Sequence, residues 1–159
     1  MSWRADPAAA AIADRHYNRQ KIGAAQFVPP GRCVVFRSVD GQSVWTTSWP
    51  FPEFVQHAWP GAWINSLFRR EGGDVVASEM IRFAVAHTLA HWPDAPDLGM
   101  VTFVDPGKVR AKRNPGYCYL KAGFKLVGET KGGLLAFQMR KEALPPPSPC
   151  PTQQLAFAL

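Results

Sequence analysis

Cysteine is scarce in this chain and badly spaced for cross-linking: Cys33, Cys118 and Cys150 are odd in number and far apart. That excludes a disulfide framework and a zinc knuckle. Long apolar runs are missing too, none approaching the roughly 20 residues that a bilayer-spanning helix needs. The N-terminal stretch "MSWRADPAAAAIADRHY" is rich in alanine, but Asp6 and Pro7 break the pattern of a signal peptide. Acidic residues are in deficit, 12 against 18 Lys and Arg, for a formal charge of +6. The chain therefore reads as cytosolic, with no membrane partner, and its charge points to an anionic one such as nucleic acid or phosphate.

Against those absences stand 47% hydrophobic and 12% aromatic residues in 159 positions. That is enough for one domain with its own core. Asp6-Pro7 predicts an N-cap followed by a helix running to about Tyr17, with Ala9, Ile12 and His16 on one face. "RCVVFRSVDGQSVWTTS" predicts a hairpin turning at Asp40-Gly41. "WPFPEFVQHAWPGAW" reads as a Pro-rich loop, "WINSLFRR" as a strand, and Asp74 as the cap of a helix over 75–91. That helix would bury Val76, Met80, Phe83 and Ala84 and turn Glu79 and Arg82 outward. "LGMVTFVDP" reads as a buried strand ending at Asp105, "YCYLKAGF" as a short helix closed by Gly123, and "FKLVGET" with "LLAFQMR" as a closing hairpin. Residues 1–143 then form the domain, a mixed α/β sheet flanked by helices, and 144–159 a Pro-rich tail outside it. The strand–helix–strand unit in the middle predicts parallel strands whose carboxyl ends, Arg69-Arg70-Glu71 and Asp105, share one crevice.

Several residue groups could carry chemistry there. Asp105 before Pro106 is either a turn-initiating Asp or a proton acceptor at a strand end. Arg69, Arg70 and Glu71, followed by Gly72-Gly73 and a helix start, are a solvated strand end or a cradle for an anionic group. His87 and His91, four apart on a helix, read as helix-face histidines, for no third metal ligand accompanies them. Lys108, Arg110, Lys112 and Arg113 form one basic cluster, and Arg15, Arg19, Lys21 and Arg32 another, flanking His16-Tyr17. Two such clusters around one crevice fit contacts to a phosphate backbone. Of Trp45, Trp49, Phe51, Phe54 and Trp59, some belong in the core and one is free to stack on an extruded base.

Two resemblances follow from quoted segments. "YCYLKAGFKLVGET" is similar to the late segment of acyltransferases of the GNAT superfamily, where an aromatic residue often lies near the leaving group, the part of Tyr117 or Tyr119 here. The superfamily's glycine signature is absent from "RREGGDVVAS", so coenzyme A is not expected. Taken together, "ADRHYNRQKIGAAQFVPPGR", "INSLFRREGGDVVASEMIR", "TFVDP" and "GYCYLKAGFKLVGE" resemble the Mom family of phage DNA-modification proteins over roughly Ala13 to Met139. That resemblance implies a GNAT-like fold acting on double-stranded DNA. It implies conversion of adenine to a carbamoylmethyl-adenine at the exocyclic amino group, with an unidentified group donor and protection from restriction. Its functional residues match His16, Tyr17, Arg69, Ser78, Asp105 and Tyr117, with Asn18 where family members often have Ser. Glu71 and Tyr119 join Ser78 as expected substrate contacts. The family's association with iron would make His16 and Tyr17 its ligands. The competing expectations are a small-molecule or protein N-acyltransferase of the same fold, and a non-catalytic DNA-binding phage protein.

Overall fold

A computed structural model describes residues 1–16, 19, 21–108 and 114–151. Tyr17, Asn18, Arg110, Lys112 and Arg113 lie outside the described residues, and nothing below bears on their expected roles. Among the described residues, six strands form one sheet in the order β1-β2-β3-β4-β6-β5. They are β1 (Arg32–Arg37), β2 (Ser43–Trp49), β3 (Trp63–Arg70), β4 (Met100–Val104), β5 (Lys125–Glu129) and β6 (Leu135–Met139). Only β3 and β4 run parallel; every other neighbouring pair is antiparallel. The fold is thus the mixed α/β sheet with flanking helices that the alternation of elements predicted.

Alternating side chains build a core on each face of the sheet, as a pleated strand requires. On one face, Val34, Phe36, Trp45, Trp63, Phe137 and Met139 pack against α2 (Ala77–His91) and α3 (Tyr117–Ala122). On the other, Val35, Val44 and Leu67 pack against Ala9, Ile12 and Ala13 of α1 (Pro7–Ala13) and against Phe27-Val28. Asp6 caps α1 by accepting from the Ala8 N–H at 2.9 Å, and Pro7 takes the first position. Gly123, at φ +108°, closes α3.

The helix ends differ from expectation for local electrostatic reasons. α1 stops at Ala13 rather than near Tyr17. Asp14 falls where a helix's carbonyl end disfavours a carboxylate, and its side chain accepts instead from Arg19 Nε at 2.7 Å and from the Gly23 N–H. α2 begins at Ala77, capped by no side chain, because Arg70 donates to Gly73 O and Val75 O and holds the preceding residues out of the helix. Its buried face is Ile81, Ala84, Val85, Ala86 and Thr88, while Val76 and Phe83 are more than half exposed. Thr88 sets that rotation by meeting Thr47 of β2, their hydroxyls 3.0 Å apart. Glu79 is exposed as expected; Arg82 is also outward, and its Nη1 reaches back to Ala122 O.

The Pro-rich segment corrects the expected boundary at 143. Pro145 is buried, Leu144 and Cys150 pack on the core, and the Ser148 N–H donates to Ala86 O of α2 at 3.2 Å. His87 Nδ1 lies 2.6 Å from Ser148 O. Residues 144–150 are therefore a strap across α2. Among the described residues no helix is long and apolar enough to cross a membrane.

Candidate active-site cleft

The parallel strands pair for three residues only, Trp63 with Met100, Ile64 with Val101 and Asn65 with Thr102. They then part. The cause lies on the other side of β3, where Thr47 pairs with Asn65 but Thr46 pairs with Leu67, so Ser66 is an extra residue in the strand. Such a bulge bends its strand and shifts the alternation of side chains by one. Beyond it β3 leaves β4, and a cavity of about 260 Å³ opens between their carboxyl ends.

Asn65 holds the bulge in shape. Its Nδ2 donates to Thr46 O of β2 at 3.1 Å and to Leu67 O, just past the extra residue, at 2.8 Å. Its Oδ1 accepts from Thr102 Oγ1 at 3.0 Å and from the Tyr119 hydroxyl at 2.7 Å. One buried amide thus uses its full hydrogen-bonding capacity on β2, β3, β4 and α3. Asn65 drew no attention in the sequence, since it stood inside a strand pattern and its four partners come from four elements.

The lining draws on all four segments quoted above. His16 follows α1; Ser66, Phe68 and Arg70 come from β3; Ala77 opens α2; Phe103 and Val104 end β4; Gly116, Cys118 and Tyr119 belong to α3 and its approach. Burial pushes the Cys118 thiol up, so it stands in the cleft as a neutral group. Tyr119 is only 8% exposed, its ring stacked on Phe137 and its hydroxyl committed to Asn65. Tyr117 is more than half exposed, with the Lys121 ammonium 5.7 Å from its ring centroid, while its neighbours Gly116 and Cys118 line the cavity. Ser78 stands half-buried in the first turn of α2, one residue beyond the lining Ala77.

Asp105 follows Val104 at the strand end, and its Oδ1 accepts from the Gly107 N–H at 2.9 Å, the turn geometry that Asp-Pro sequences favour. Arg69 is displaced from its expected place. Because the bulge shifts the alternation, Arg70 lines the cleft, and Arg69 Nε donates to Glu71 Oε1 at 2.9 Å. Glu71 also receives Arg15, whose Nη2 reaches Oε2 at 2.9 Å. Hydrogen bonds from Arg15 and then Arg69 hold the Glu71 carboxyl down to about 2. Glu71, expected to contact substrate, and Arg15, expected to contact DNA, are instead clamped to each other. The clamp ties the segment after α1 to the end of β3.

Two further DNA-facing assignments change. Arg19 has its side chain almost buried, pairs with Asp14 and donates to Ala24 O and Gln26 O, so it staples its own loop. Arg32 lies over the Trp49 ring, 4.1 Å from the centroid. Lys21 and Lys108 are exposed. Trp45 is core, Trp49 packs on Trp63 and Trp92, and Phe51, Phe54 and Trp59 remain toward the surface.

No protein-family model matches this chain, and no curated protein matches it. Among solved structures it is similar to an aminoglycoside acetyltransferase, AAC(6')-Ib, in complex with coenzyme A. The identity is 18%, over 70% of this chain and 68% of that one, with a TM-score of 0.47. Both cofactor expectations are corrected. Iron gains no support: among the described residues no three His, Cys, Asp or Glu side chains are grouped to hold a metal. The expectation that set coenzyme A aside for want of a glycine signature stands against a similar structure that is itself a coenzyme A complex. This chain brings an uncapped helix start, at Ala77, to the cleft's edge.

Proposed function

We propose that the protein is a GNAT-type transferase that carries a group onto an amine nitrogen in the β3–β4 cleft. The observation that carries this reading is the parting of two parallel strands at the Ser66 bulge, which leaves a polar cavity at their carboxyl ends. Open α/β sheets bind their ligands at such ends. A donor's anionic part would meet the free N–H groups of the first turn of α2, beside Ala77 and Ser78.

For the acceptor we favour the exocyclic amino group of adenine in double-stranded DNA, with a carbamoylmethyl group as what is carried. Supporting it, each of the four segments that resemble the Mom family contributes residues to this one cavity. The amine lone pair attacks the donor's electrophilic carbon. The new N–C bond forms as the bond to the leaving group breaks, and the amine gives up one proton. Asp105 accepts that proton, a role worth about 10² to 10⁴ in rate. Tyr117 donates one to the leaving group, and His16 lines the approach. Lys21 and Lys108, both exposed, would meet phosphates.

A second reading, an acyl-coenzyme A-dependent N-acyltransferase for a small molecule or protein amine, is favoured by the Gly72-Gly73 approach to α2. Mass spectrometry of nucleosides from plasmid DNA of expressing cells tests the first reading. A new adenosine mass, lost in Asp105→Ala, is expected. An unchanged profile with tight acetyl-coenzyme A binding by calorimetry would establish the second reading in its place.

A further inference from the structure

The loop between β2 and β3, residues 50–62, carries more aromatic surface than the fold uses. Phe51 and Phe54 are 50% and 77% exposed. Later in the loop, His57 and Trp59 are only half-buried, and both rings rest on Phe103 of β4. Their centroids lie 5.2 Å and 5.9 Å from that of Phe103, and 6.2 Å from each other. Phe103, itself half-buried, lines the cleft, so this group of rings adjoins the proposed site.

The state of His57 is set by its surroundings. Its Nδ1 accepts the Trp59 N–H at 3.0 Å, so the ring proton sits on Nε2. Burial lowers its pKa, which keeps the imidazole neutral at neutral pH. The three rings therefore offer uncharged flat surface with one N–H donor on its edge. A purine presents the complement, a flat π face with ring nitrogens that accept hydrogen bonds.

We propose that Trp59, His57 and Phe103 form a stacking shelf that receives a single purine base extruded from DNA and delivers it to the cleft. This rests on the DNA reading given above. An enzyme acting on a base's exocyclic group must take that base out of the duplex, and stacking on aromatic side chains compensates for the stacking it loses. The net charge of +6 favours a polyanionic source for the base over an apolar ligand.

The test uses the full chain and a short duplex carrying 2-aminopurine opposite a mismatch. Anisotropy of an end label reads DNA binding, and 2-aminopurine fluorescence reads stacking of the base. With wild type, anisotropy rises and the fluorescence of the unstacked base is quenched. Trp59→Ala and Phe103→Ala lose the quenching and need about tenfold more protein to reach what remains of it. Trp59→Phe, which keeps a flat ring, retains it, and matching melting temperatures separate loss of the shelf from loss of the fold. If Trp59→Ala quenches as wild type does, the shelf is wrong while the DNA reading stands. If wild type raises no anisotropy at 50 mM salt, the DNA reading fails and the shelf falls with it.

Discussion

The Tyr119 hydroxyl donates to Asn65 Oδ1 at 2.7 Å, joining a short helix to a strand 54 residues earlier. The same Asn65 amide spans the strand's extra residue, so a core hydrogen bond and the shape of the cleft depend on one side chain. Asn65→Leu takes one partner from each of two carbonyls and two hydroxyls and is expected to cost about 2–4 kcal/mol in urea unfolding. Tyr119→Phe removes one of the four bonds and should cost about 1–2 kcal/mol. Equal losses for the two variants would mean that the amide does not organise the bulge.

Gly116 enters α3 at φ +76°, and a Cβ there would overlap the Phe137 ring. Gly41 has a similar φ of +71° but open space around it. Gly116→Ala should therefore cost about 2–4 kcal/mol, backbone strain plus overpacking, against about 1–2 kcal/mol for Gly41→Ala. Chemical denaturation of the two variants side by side checks the difference.

The clamp on Glu71 has a defined acid limit. Its carboxyl titrates near 2 when folded and near 4.5 when free, so the folded state binds the proton less readily. The clamp's contribution is complete above the unfolded value and fades as pH falls from about 4.5 towards 2. Wild type and Glu71→Gln should differ in stability at pH 6 and converge towards pH 2. A gap that stays constant across this range would show that the carboxylate charge is not what holds Arg15 and Arg69.

Much of the fold was legible because local rules decided it. Alternation and the Asp40-Gly41 turn predicted the β1–β2 hairpin, and a strand over "WINSLFRR" matches β3 residue for residue. His16 does line the cleft, although α1 ends before it. The misassignments have physical causes that no window of sequence contains. Arg19 looked like a phosphate contact because its charge was counted without Asp14, which neutralises it. Arg69 was expected in the cleft from its strand-end position and the family resemblance, neither of which contains the extra residue at Ser66 that turns Arg70 there instead. The Pro-rich segment looked detached because its hydrogen bond to Ala86 joins positions 62 residues apart.

That strap yields a further expectation. Ser148→Pro removes the N–H that donates to Ala86 O and should lower the melting temperature by about 2–5 °C. An unchanged melting temperature would show that the contact adds nothing to the stability of α2.

The bulge at Ser66 makes the opening of the cleft depend on chain length as much as on residue identity. A deletion at Ser66 would restore strict alternation and leave Phe68 and Arg70 on their present faces, since Leu67 already pairs as the next residue after Asn65. Related chains could thus open or close the gap between β3 and β4 by gaining or losing one codon at this point, with the same residues facing it.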